Sequence, residues 1–255
     1  MSLKSLLRSA VFTLASACAA LPTVVEAADG PFAVTTGSYR FAGRDEPLVA
    51  SDRKVDLWAE VYRPTTLSDG PLPVAVFLHG NHGTCGTFDK ELQVRVDYGS
   101  SYTQTGKCEA GEVVVPNHLG YEYLAKELAS WGYIVVSINA NRGITSAAGI
   151  PGDAGLNLMR GRLVLRHLAL LSDWTRGTGQ IPPPATLNFN PRGTMDLSQV
   201  GMMGHSRGGE GVRAALKQFR DEGSPFPALI NGLSIKSIFE IGPVDSLLPP
   251  LSVVR

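Results

Sequence analysis

Gly204-His205-Ser206-Arg207-Gly208 carries the spacing Gly-x-Ser-x-Gly. Before it stands a short apolar run, Val200-Gly201-Met202-Met203, and after it Val212, Ala215, Leu216 and Phe219 recur at helical spacing. A serine between such a strand and such a helix sits at the apex of a sharp, strained turn with its hydroxyl presented outward. The glycines two residues away on each side have a steric task, since a side chain there would strike the neighbouring strand or helix. In a chain with 28 glycines the pattern alone arises by chance, so its setting is what makes it specific. Ser206 is therefore the candidate nucleophile. A serine hydroxyl is a weak nucleophile at neutral pH and needs a base, an orienting acid and donors for the developing oxyanion.

Two backbone donors are assigned. One is the N–H of Arg207, directly after the serine. The other is the N–H of Asn81, in the His79-Gly80-Asn81-His82-Gly83 loop that follows the apolar run 72–78. Removing one such donor typically costs on the order of a hundredfold in rate or more. Five histidines are present, His79, His82, His118, His167 and His205, and none follows Ser206. His79 is expected to anchor its loop and His205 to pack beneath the turn, pointing away from substrate. His82 is either a loop residue bonded to backbone or an imidazole that approaches Ser206. His118 is placed near a helix start, and His167 on a long helix at the surface or in the core. Glu210, one turn into the helix after the serine, is expected to be a buried structural carboxylate paired with an arginine such as Arg142.

The elements that must position these groups are legible from periodicity. Residues 32–41 and 55–62 read as strands, the second with Val55, Leu57, Ala59 and Val61 on one face. Leu72 to Leu78 is continuously apolar, as a strand buried on both faces requires. Leu119, Tyr123, Leu124, Leu128 and Trp131 have helical spacing with Gly132 as a stop; 133–138 is a strand, 156–174 a strong helix and 235–241 a last strand. Residues 84–116 read as a long irregular polar insertion, and Pro182-Pro183-Pro184 opens a second irregular stretch. Alternating strands and helices predict an α/β fold with a mostly parallel central sheet.

Composition sets the outer limits. The chain has 255 residues, 44% of them hydrophobic, with 23 basic and 23 acidic residues and no net charge. One sizeable core is expected, and there is no electrostatic case for a nucleic-acid partner. Lys4 and Arg8 precede an apolar run from Ala10 to Leu21, and Val25-Glu26-Ala27 supplies the small residues of a signal-peptidase site. Residues 1–28 thus read as a signal peptide and 29–255 as the domain, secreted or periplasmic. The apolar run is short for a membrane span, so no stable insertion is expected once it is removed. Cys18 after Ala15-Ser16-Ala17 offers a lipoprotein alternative. Cys85 and Cys108 then remain, and in an oxidising compartment they read as one disulfide, worth about 3 kcal/mol on the chain-entropy model. Their spacing lacks the paired ligands of a zinc site, and no metal is expected.

These motifs in this order resemble the α/β-hydrolase superfamily over residues 32–245, and within it exported bacterial esterases of the chlorophyllase, polyester-hydrolase and platelet-activating-factor-acetylhydrolase-like group. The most specific piece is Gly204-His205-Ser206-Arg207-Gly208-Gly209-Glu210. The resemblance implies a three-layer fold and a serine hydrolase of small or polymeric carboxylic esters, acting through an acyl-enzyme on Ser206 without cofactor. Asp245, after the last strand, stands where some relatives carry the catalytic acid and others a structural turn. In this superfamily the acid and the histidine follow the serine in the chain. The present chain is accordingly expected to be C-terminally incomplete, lacking its last strands, and inactive as it stands. The alternatives are a non-catalytic binding protein on the same fold, and an acyltransferase.

Overall fold

The computed structural model describes residues 29–67, 70–89, 93–95, 105–144 and 156–244. The signal-peptide expectation, Cys18 and Asp245 fall outside them. In chain order the strands are β1 (Val34–Arg44), β2 (Val55–Pro64), β3 (Leu72–Leu78), β4 (Cys85–Asp89), β5 (Gln93–Arg95), β6 (Glu112–Val114), β7 (Ile134–Asn139), β8 (Met195–His205) and β9 (Ile235–Ile241). The helices are α1 (Glu122–Ser130), α2 (Asn157–Arg176), α3 (Arg207–Arg220) and the short α4 (Phe226–Leu229).

Six strands make the central sheet in the order β1-β2-β7-β3-β8-β9. β1 and β2 are antiparallel to each other, and β2 is antiparallel to β7. From β7 through β3 and β8 to β9 all pairings are parallel. The fold is α/β with a mostly parallel sheet. Alternation along the strands builds two apolar layers. Val74, Val76 and Leu78 of β3 pack with Leu163, Leu168, Val212 and Ala215 of α2 and α3, whereas Ala75 and Phe77 pack with Ala125 and Ala129 of α1. The run 72–78 is apolar throughout because both faces of β3 are covered. α1 ends as the sequence suggests, with Gly132 at φ 93° just past its last turn, and α2 ends at Gly177 in the left-handed conformation at φ 71°.

Two stretches differ from their expected form. Residues 84–116 include a second sheet, β5-β4-β6, antiparallel throughout. Its strands are three to five residues long, too short to show periodicity. β8 is also longer than the run 200–203, because a bulge lets Met195 and Asp196 pair with Leu72 and Pro73 at the start of β3.

Cys85 and Cys108 are joined in a disulfide. Both sulfurs lie within 4.8 Å of a Glu112 carboxylate oxygen, but sulfurs bonded to each other offer no thiolate to a metal. Asn117 and Asn141 fasten the small sheet to the large one. Asn117 Nδ2 donates to the Gly83 carbonyl at 3.0 Å and to Asn141 Oδ1 at 2.9 Å, and Asn141 Nδ2 donates to the Val115 carbonyl at 2.7 Å. Among the described residues no helix is long and apolar enough to cross a membrane.

The core also encloses ionisable groups. His167 is fully buried on α2 and shares a 2.7 Å hydrogen bond with the Tyr39 hydroxyl, while Trp174 meets the Tyr39 ring edge-on at 5.0 Å. Burial, reinforced by the Arg166 charge, pushes the His167 pKa down to about 3. Burial and then Arg40 push His118 down to about 4.

Two stability measurements follow. Cys85→Ser/Cys108→Ser opens a loop with a sequence separation of 23, and is expected to lower unfolding free energy by about 3 kcal/mol in urea titrations. A change below about 0.5 kcal/mol would refute that, since this is the range of inert surface substitutions. Stability should also fall with acid. Below the ordinary imidazole value the unfolded chain takes up protons that folded His167 and His118 refuse until about pH 3 and 4. Stability is thus full above about pH 6.5 and falls by up to about 1.4 kcal/mol per pH unit per histidine below it. His167→Phe should reduce the slope of urea midpoint against pH between 6.5 and 4.5. An unchanged slope would show that His167 takes no part.

Candidate functional site

The site forms where β8 turns into α3. Ser206 has φ 53° and ψ −125°, a positive-φ backbone conformation that costs a non-glycine residue on the order of 1–3 kcal/mol. The surroundings hold it there. Its N–H donates to the Ile241 carbonyl at 2.9 Å, and its own carbonyl accepts from Gly209 N–H at 2.9 Å. A Cβ on Gly204 would overlap the Gly208 carbonyl, and one on Gly208 would overlap the Leu78 and His79 carbonyl oxygens. Backbone lies on backbone at both positions. This is the steric task expected of the two glycines, and the second contact presses the start of α3 against the loop after β3. Arg213 on α3 pairs with Glu240 on β9 at 2.9 Å and holds the far side of the turn.

The loop 79–83 therefore flanks Ser206. The position a Cβ on Gly80 would occupy lies 3.0 Å from His205 Nδ1, 3.1 Å from His82 Nε2 and 3.1 Å from Ser206 Cβ. The His82 and His205 rings stack with centroids 5.8 Å apart, and Tyr121 meets His205 at 6.4 Å. His205 thus faces the loop after β3, where the sequence pointed to packing beneath the turn. His82 is exposed as a residue, yet its Nε2 is turned inward against Gly80. Enclosure of that ring edge, then the charges of His205 and Arg160, hold it below the ordinary imidazole value. At neutral pH it can accept a proton.

Arg207 opens α3, so its N–H has no intrahelical acceptor and stands at the positive end of the helix dipole beside Ser206. Asn81 follows Gly80 on the facing loop. Asn81 Oδ1, His205 Nδ1 and Arg207 Nη1 are buried without a hydrogen-bond partner among the described residues. Such unpaired atoms beside a strained serine suit a site that completes its bonds with water or ligand.

The remaining histidines are structural. His79 is buried, accepts from Ala140 N–H at 2.9 Å through Nε2 and contacts the Gly80 carbonyl through Nδ1 at 2.6 Å, as a loop anchor should. Burial first and the Arg160 charge second hold it well below the ordinary imidazole value. His118 lies in a 3-10 turn just before α1, with the Asn139 amide 2.9 Å from its Nδ1. Glu210 is buried as expected, but its carboxylate takes a 2.5 Å hydrogen bond from Asn157, while Arg142 reaches Asp56 at 3.4 Å. The Glu210–Arg142 pairing is thus replaced. Arg142 follows β7 and is drawn toward β2, whereas Asn157 sits on α2 facing α3. Sequence reading also missed Arg160, fully buried on α2, whose guanidinium donates to the His79 carbonyl at 2.8 Å and the Gly80 carbonyl at 3.4 Å.

A groove of about 680 Å³ on the α2–α3–α4 side, lined by Val49, Arg162 and Phe226, includes none of these residues. A groove alone offers neither a nucleophile nor converging donors, so the elbow is the stronger site.

No protein-family model and no curated protein matches the chain. Among solved structures it is similar to a bacterial brefeldin A esterase, described as a homologue of human hormone-sensitive lipase, with 19% sequence identity and a TM-score of 0.39. The similarity covers 84% of this chain and 40% of that one, so the chain spans less than half the length of the esterase it is compared with.

Proposed function

We propose that this protein is a serine hydrolase of carboxylic esters on an α/β-hydrolase scaffold. The observation that carries the proposal is the positive-φ backbone of Ser206 at the β8–α3 turn, maintained at an energetic cost beside the loop after β3. Strain of this kind persists where the surroundings over-determine it, and it clusters at reactive sites. In this reading Ser206 Oγ attacks the ester carbonyl, and the N–H groups of Asn81 and Arg207 receive the negative charge that develops on the carbonyl oxygen. The alcohol leaves with a proton, and water releases the acyl group from Ser206. Asp245 remains the candidate acid. The Cys85–Cys108 disulfide supports export to an oxidising compartment.

A fluorophosphonate should label Ser206 in the native full-length protein. Ser206→Ala should abolish both labelling and hydrolysis of p-nitrophenyl butyrate, with circular dichroism unchanged. Hydrolysis at the wild-type level in that variant would place the nucleophile elsewhere.

If no imidazole of residues 29–255 serves Ser206 as base, these residues should turn over at background, because a serine hydrolase without its imidazole loses on the order of a millionfold. Ser206-dependent turnover that His82→Ala removes would contradict this and assign the base to His82, whose Nε2 and Ser206 Cβ each lie 3.1 Å from the same point above Gly80.

A further inference from the structure

Gly80 and Asn81 share one peptide unit, and in a trans peptide the carbonyl and the N–H point in opposite directions. Whatever holds the Gly80 carbonyl therefore also aims the Asn81 N–H. Two side chains hold it. Arg160 Nη2 donates to it at 3.4 Å, while Arg160 Nη1 donates to the preceding His79 carbonyl at 2.8 Å. His79 Nδ1 lies 2.6 Å from the same Gly80 oxygen.

The His79 contact has a definite sense. Its other ring nitrogen, Nε2, accepts from the Ala140 N–H at 2.9 Å, and a backbone N–H can only donate. A neutral imidazole accepting at Nε2 carries its proton on Nδ1, so Nδ1 donates to Gly80. Both donors are buried, Arg160 completely and His79 at 2% exposure. Arg160 draws two successive carbonyls toward α2, His79 holds the second of them, and the Asn81 N–H is left pointing to the opposite side of the peptide.

We propose that Arg160, acting with the Nδ1–H form of His79, is the positioning residue of the oxyanion-binding loop. It does not touch substrate. Its planar fork holds two adjacent carbonyls at once, which a lysine ammonium, as a single point charge, does less well. The fixed charge behind the peptide also favours negative charge building up in front of it. The proposal rests on the ester-hydrolase reading of Ser206, which alone makes the direction of the Asn81 N–H matter.

The test compares Arg160→Met and Arg160→Lys with wild type in the native full-length protein. Readouts are fluorophosphonate labelling of Ser206, kcat and KM on p-nitrophenyl butyrate, and circular dichroism. Arg160→Met is expected to lower kcat at least tenfold with KM within about twofold, since a misaimed donor loses charge stabilisation specific to the transition state. Arg160→Lys should recover part of the loss. A folded Arg160→Met protein with wild-type kcat would overturn the proposal and leave the serine reading intact. A wild-type protein that fails to label would overturn the serine reading and this proposal with it. Should Arg160→Met not fold, the 15N imidazole spectrum of wild-type His79 decides. Protonated Nδ1 and unprotonated Nε2 support the arrangement, and the reverse tautomer overturns it.

Discussion

The close approach of backbone to backbone at Gly208 is the constraint on which the site depends. With no side chain there, the first turn of α3 lies directly on the carbonyls of Leu78 and His79 at the end of β3. A nucleophile and an oxyanion loop from strands neighbouring in the sheet would otherwise be separated by a layer of side chains. The same contact explains why Ser206 keeps its positive-φ backbone. Its N–H is tied to Ile241 on β9, its carbonyl caps the start of α3, and a relaxed turn would lift the helix off β3.

Charge and polarity follow from that geometry. The start of α3 and the buried Arg160 guanidinium both meet the His79 carbonyl and give this end of the sheet a fixed positive character. The imidazoles differ by environment. His79, His118 and His167 are enclosed and neutral, each fixed by a specific hydrogen bond. His82 and His205 stack at the site with nitrogens turned toward Gly80. One side-chain type thus serves as scaffold on one side of the loop and as candidate chemistry on the other.

The insertion after β3 is part of this arrangement. Its disulfide begins at Cys85, two residues after the loop 79–83, and Asn117 ties Gly83 to Asn141 at the end of β7. The loop is braced from α2 beneath and from the small sheet beside it. Backbone polar groups in a buried loop need partners, and asparagine amides, with donors and an acceptor on one short side chain, supply them where no strand can pair.

Much of this was written locally in the chain. The two-residue alternation of β2, the doubly buried run of β3, the stop at Gly132 and the Gly204–Gly208 spacing are consequences of sterics within a few residues, so they read directly from the sequence. The cysteine pairing was legible because, once Cys18 is read as part of a leader, two thiols leave one choice. The side-chain partnerships were not. Arg160 reaches His79 across 81 residues of sequence and Asn157 reaches Glu210 across 53. Which arginine or asparagine meets which carbonyl depends on α2 packing beside α3 beneath β3, and no local pattern encodes that. His205 was misjudged for the same reason, since a turn residue's direction depends on the loop that closes over it. Local sterics determined where the serine stands, and only the packing of distant elements decided what surrounds it, because hydrogen-bond partners are chosen by proximity in space.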